Sequence, residues 1–144
     1  MSKILTAIAV VALVVMGSVW ALSSRPQNEA SYQEIIDHTD NRITEIISSA
    51  HSIEPWAGKW FAEGYWFTSR QDAYVDFEDG HILRRILLTC DLARKVTCES
   101  KALFRPTATD EEHNSGTYWY LVEGKDSQKD KPIIFSSASY DWIR

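Results

Sequence analysis

Cysteine is nearly absent from this chain of 144 residues, which has only Cys90 and Cys98. No CxxC or CxxCH occurs, so dithiol redox catalysis and haem attachment have no support. The four histidines form no HExxH and no close pair, which removes the common zinc-hydrolase pattern. A glycine-rich phosphate loop and a dinucleotide fingerprint are also missing. Ser136, Ser137 and Ser139 stand outside any nucleophile elbow. No pair of carboxylates is set apart for glycoside cleavage. The expectation is a protein that is not an enzyme and carries no cofactor and no metal. Basic residues are scattered and outnumbered, 15 against 20 acidic, for a net charge of −5. Nucleic-acid binding rests on neutralising phosphates, so it is not expected here. There is no internal repeat and no low-complexity tract. A hydrophobic share of 44% marks a folded chain rather than a disordered one.

What is present begins with one long apolar run. ILTAIAVVALVVMGSVWAL, residues 4–22, carries no charge. As a helix its 19 residues would extend roughly 28 Å, close to the hydrocarbon thickness of a bilayer. Lys3 and the amino terminus precede it and Arg25 follows, a bias that keeps the N-terminus in the cytoplasm. Trp20 falls where an indole suits the headgroup level. The rival reading is a cleaved signal peptide, with Val19-Trp20-Ala21 as the small-x-small site. The anchor is preferred, because the run is long for a signal and Trp20 sits awkwardly in a cleavage site. Both readings export residues 23–144, and there is no lipobox cysteine. The expected location is a bacterial inner membrane, spanned once, with the C-terminal part in the periplasm. An even cysteine count in that oxidising compartment predicts one disulfide, Cys90 to Cys98. Their separation of eight gives both the same facing along two paired strands. The alternative is two free buried thiols.

Residues 23–30 read as a polar linker and residues 31–55 as an amphipathic helical region closed by Pro55. Ser31 and Glu34 suit a capping box. Tyr32, Ile35, Ile36, Thr39, Ile43, Ile46, Ile47 and Ala50 recur at helical spacing, with Glu34, Asp37, Asp40 and Glu45 opposite. Residues 56–144 read as β, with candidate strands at 60–67, 73–78, 81–90, 96–105, 117–123 and 132–137. SYDWIR at the end is a further short pairing segment. Glu78-Asp79-Gly80-His81 signals a two-residue hairpin. Among the histidines, His51 is placed to cap helix carbonyls, His81 to face water, and His113 to lie in a solvated acidic loop after Asp110-Glu111-Glu112. Six or seven strands are few for a closed eight-stranded barrel. The expected fold is therefore α+β and mainly β: a transmembrane helix, an amphipathic helix, then a small antiparallel barrel, incompletely closed, or a curved sheet.

WAGKWFAEGYWF, residues 56–67, poses the main functional question. Alternation puts Trp60, Ala62, Gly64 and Trp66 on one face and Phe61, Glu63, Tyr65 and Phe67 on the other. Both faces carry rings, as they do at Tyr118, Trp119 and Tyr120. An ordinary half-exposed strand is polar on one side. The second face is expected to meet the helix, a partner or a ligand. Trp60, Phe61, Tyr65, Trp66, Phe67, Tyr118, Trp119 and Tyr120 are thus the candidate ligand or partner residues.

Gly58-Lys59-Trp60 matches the G-x-W that opens the first lipocalin strand, so the β part resembles a lipocalin there. A short cytoplasmic start, one anchor, a periplasmic helix and a small lipocalin-like domain resemble the ToxS and VtrC type of protein, periplasmic partners of ToxR-like transmembrane transcription regulators. YVDFEDGHILRRILL and GTYWYL are similar to the strand–turn–strand and Gly-aromatic segments of that group, over residues 56–125. The resemblance implies a regulatory subunit that pairs with a membrane protein and takes a bile salt or other lipid. It carries over no functional residue. The alternatives are a structural accessory subunit of an envelope complex and a secreted lipocalin-like carrier.

Overall fold

The computed structural model describes residues 27–108 and 118–138. The apolar run at 4–22, the acidic loop with His113 and the tail at 139–144 lie outside the described residues. Among the described residues, no helix is long and apolar enough to cross a membrane. Contacts divide the chain into Met1–Ser31 and Tyr32–Arg144, and the fold below is that of the second unit.

Helix α1 runs Gln27–Ala50. It starts before Ser31, so residues 27–30 are helical rather than linker and Ser31 is not the cap. Gln, Glu and Ala are good helix formers, and their propensity extends the helix beyond the capping signal. Tyr32, Ile35, Ile36, Thr39, Ile43, Ile46 and Ile47 form the buried stripe. Ala50, at the last turn, is exposed instead.

Among the described residues six strands follow: β1 Phe61–Phe67, β2 Asp72–Glu78, β3 Leu83–Asp91, β4 Thr97–Pro106, β5 Trp119–Gly124 and β6 Phe135–Ala138. They form one antiparallel sheet in the order β5-β4-β3-β2-β1-β6. The two end strands do not pair, so the sheet is not closed into a barrel. Register shifts interrupt β1 between Ala62 and Gly64, the β3–β4 ladder at Leu87/Leu88, and the β4–β5 ladder at Leu103/Phe104. Such bulges bend a strand and increase its twist.

The expected two-residue turn after Glu78 is longer. Glu78 pairs with Leu83, leaving residues 79–82 in the connection. Asp79 explains this: its carboxylate accepts from the backbone N–H of His81 and Ile82, both at 2.9 Å, and from Trp56 at 2.6 Å. An Asx-type turn satisfies these donors better than a tight hairpin would. At the other end of β3, Cys90 pairs directly with Cys98 across β4 and the two form a disulfide, with Cα atoms 4.1 Å apart.

The helix covers one face of the sheet. Its isoleucines pack with Trp60, Tyr65, Phe67, Val75, Phe77, Ile86, Leu88 and Leu103 in the main core. Trp60 stands edge-on to Phe77 at 5.0 Å, and its backbone N–H donates to Thr44 Oγ1 of the helix at 2.9 Å. Tyr65 Oη donates to Asp40 Oδ1, and burial with that carboxylate holds the phenol well above its usual pKa. A second cluster, Leu87, Ala102 and Phe104 with Tyr74 and Trp119, is separate from this core.

Candidate functional site

The bulge in β1 decides which rings go where. Simple alternation would separate Trp60 and Ala62 from Tyr65 and Phe67. The extra residue at Glu63 reverses the phase, so all four join the helix-side core. Trp66 is left pointing to the other face. There it lines a cavity of about 500 Å³ together with Tyr74, Arg85, Phe104, Trp119 and Ile133. That volume lies within the range of small-molecule sites.

Strand pairing builds the floor. Trp66 stands opposite Tyr74, Asp76 opposite Arg85, Arg85 opposite Phe104, and Phe104 opposite Leu121. Arg85 Nε donates to Asp76 Oδ1 at 2.5 Å and Nη2 to Oδ2 at 3.1 Å. Both residues are buried. The guanidinium also lies 4.6 Å from the Trp66 ring centroid and 4.3 Å from that of Trp119. This fork, bidentate on a carboxylate and close to two indole rings, suits Arg and not Lys. Burial pushes the Asp76 carboxyl up to about 6, although Arg85 pulls the other way.

The connection between β5 and β6 covers this floor. Asp126, Lys129, Asp130, Lys131 and Ile133 line the cavity from above. Two side-chain bonds tie the connection down. Tyr74 Oη donates to Asp126 Oδ1 at 2.6 Å, and Thr68 Oγ1 donates to Gln128 Oε1 at 3.0 Å. The backbone N–H of Ile134 donates to Phe67 O at 2.8 Å and leads the chain into β6.

Of the sequence candidates, Trp66, Tyr118, Trp119 and Tyr120 line the cavity. Trp60, Tyr65 and Phe67 are core residues facing the helix. Phe61 belongs to neither group; it is exposed, with Lys59 Nζ 5.2 Å from its ring. No protein-family model matches the chain, and neither a curated protein nor a solved structure matches it. Sequence reasoning missed the Asp76–Arg85 pair and the covering connection. The available signal was a charge at a face-determined position within two otherwise apolar stretches, YVDF of β2 and RILL of β3.

A second polar cluster joins the helix end to the far edge of the sheet. The His51 side chain does not cap the helix; it is buried, with Nε2 2.7 Å from Ser100 Oγ. Nδ1 lies 3.1 Å from Glu123 Oε2 but is not aligned for a hydrogen bond. Glu123 is half exposed, so the arrangement ties α1 to β4 and β5 rather than forming a closed acid–base relay.

Proposed function

We propose that this chain is a membrane-anchored periplasmic binding and regulatory subunit, which holds an amphipathic small molecule such as a bile salt or lipid and associates with a membrane partner of the ToxR-like regulator kind. The observation that carries the reading is the aromatic cavity on the sheet face opposite the helix. Its walls are large apolar rings, and its cover brings charged groups to the mouth. An amphipathic molecule needs that combination: apolar area to bury its body and a polar rim for its head. A ligand that binds only the folded or partnered form would stabilise that form by mass action.

The test is binding of the uncharged dye N-phenylnaphthylamine to the full chain in phosphatidylcholine discs, followed by displacement with a bile salt and with a fatty acid. Saturable binding weakened by Trp66→Ala supports the reading. No binding above empty discs refutes it.

A second reading, a structural accessory subunit of an envelope complex, draws on a different observation. Strand β5 ends the sheet with Tyr120, Leu121 and Val122 exposed at 47%, 39% and 52%. An apolar edge strand is a template for a partner's strand. Recovery of a large envelope assembly in a pull-down from gently solubilised membranes would favour this reading. Recovery of one single-pass protein with a DNA-binding domain would favour the first.

A further inference from the structure

We propose that residues 126–131 form a cap over the cavity, latched to the sheet by the hydroxyls of Thr68 and Tyr74, and that a ligand enters and leaves when this cap lifts. This sets how a ligand reaches the cavity and rests on the ligand-binding reading.

The cap is a small body of its own. Asp126 Oδ1 accepts from the backbone N–H of Gln128 at 3.0 Å, and the Lys131 N–H donates to Gln128 O at 2.9 Å. Two successive turns therefore hold it together. Its flanks are fixed. The Lys125 N–H donates to Lys101 O of β4 at 3.3 Å, and the Ile134 N–H bonds β1 at Phe67. Gly124 precedes the cap at φ +80°, where a Cβ would collide with Lys101 O. Glycine is needed for this exit from β5. With both flanks held, the cap moves by lifting its middle.

Polar ties hold that middle down. The cap sequence, DSQKDK, has no apolar residue, so little hydrophobic burial keeps it closed. Gln128 is its one buried residue, and the Oε1 of that side chain accepts from Thr68 Oγ1 at 3.0 Å. Tyr74 Oη grips Asp126 at 2.6 Å. Lys129, Asp130 and Lys131 are exposed to water while they line the cavity. Opening exchanges protein hydrogen bonds for bonds to water, a change of small net free energy. A segment held in this way opens far more readily than the apolar strands beneath it.

Rates carry the signature, because a latch that re-forms over a bound molecule raises the open fraction equally with and without ligand when it is lost. Entry and exit then quicken by one factor and Kd stays where it was. The test uses N-phenylnaphthylamine and the full chain in phosphatidylcholine discs. Stopped-flow fluorescence excited through tryptophan follows entry, and mixing the loaded protein with excess empty discs follows exit. The cavity phase is the one that Trp66→Ala weakens. Thr68 and Gln128 both stand outside the cavity lining. Thr68→Val keeps the shape and removes the donor. It should raise kon and koff alike, by about fivefold, the equivalent of one neutral hydrogen bond, with Kd unchanged. Gln128→Met should do the same, and the double variant no more than either alone, since each loses one shared bond. If exit alone quickens, the pair acts on the ligand rather than on a cap, and the proposal is overturned. If Tm falls while both rates hold, the tie is structural and the proposal is again overturned; in both cases the ligand cavity stands. If the wild type does not bind the dye, the ligand-binding reading falls and the cap with it. Should Thr68→Val not fold, Gln128→Met decides alone, because its side chain belongs to the cap and not to the sheet.

Discussion

Gly64 offers the sharpest check on the geometry of the cavity. It follows the bulge in β1 and pairs with Asp76 on one side and Ala138 on the other. A Cβ at this position would stand 2.8 Å from Trp66 Cη2, 3.2 Å from Trp66 Cζ3 and 2.9 Å from Ala138 Cβ. Carbon atoms in packed interiors keep about 3.5–4.0 Å. The indole cannot swing outward freely, because the Arg85 guanidinium lies 4.6 Å over its ring. Gly64→Ala should therefore displace Trp66 or part β6 from β1. Overpacking of this kind costs about 1–3 kcal/mol. For a domain of this size, at ~4 °C per kcal/mol, the Tm should fall by about 4–12 °C. Thermal unfolding of the full chain in lipid discs measures the loss, and near-ultraviolet circular dichroism reports the indole. Trp66→Phe removes both ring atoms that meet the new Cβ. The double variant should then be less destabilised than the two single changes together, by about 1 kcal/mol. Wild-type melting of Gly64→Ala, or strict additivity in the double variant, would refute the placement of Trp66 over Gly64.

Three further outcomes are expected. Cys90→Ser opens a disulfide between residues eight apart, and the chain-entropy model puts the loss at about 2–3 kcal/mol; equal melting temperatures before and after reduction of the wild type would count against it. Arg85→Met leaves the Asp76 carboxylate buried without its partner and should cost about 3–5 kcal/mol at neutral pH, while adding Asp76→Leu should recover much of that. Denaturant titrations in which the double variant is no more stable than the single would contradict the pairing. Backbone N–H groups, that of Trp56 first, hold the Asp79 carboxyl below the ordinary aspartate range. A lowered folded pKa means the stabilisation is fully present above the ordinary value, about 3.9, and is lost as pH falls through the lower one. The stability gap between wild type and Asp79→Ala should therefore be widest near neutrality and shrink below about pH 4. A gap independent of pH would rule that role out.

Spacing and composition along the chain were enough to mark out α1 and the strands. The spacing of Tyr32, Ile35, Ile43 and Ile47 defined a one-sided helix, since burial on a 3.6-residue period leaves that trace in any sequence. Runs rich in β-branched and aromatic residues placed all six strands to within a few residues. The eight-residue separation of Cys90 and Cys98 matched a direct cross-strand pair. Tertiary structure alone decided which face each ring occupies. A one-residue bulge at Glu63 moves Tyr65 and Phe67 to the helix side and Trp66 to the cavity, and nothing in the local composition announces it. It also decided that residues 125–134 fold over the second face, because the anchors Tyr74–Asp126 and Thr68–Gln128 join residues 52 and 60 positions apart. The Asp76–Arg85 pair became visible only once the register of β2 against β3 was fixed. Local propensity acts over a few neighbours, whereas a cavity depends on register and crossover, which are set by contacts between distant parts of the chain.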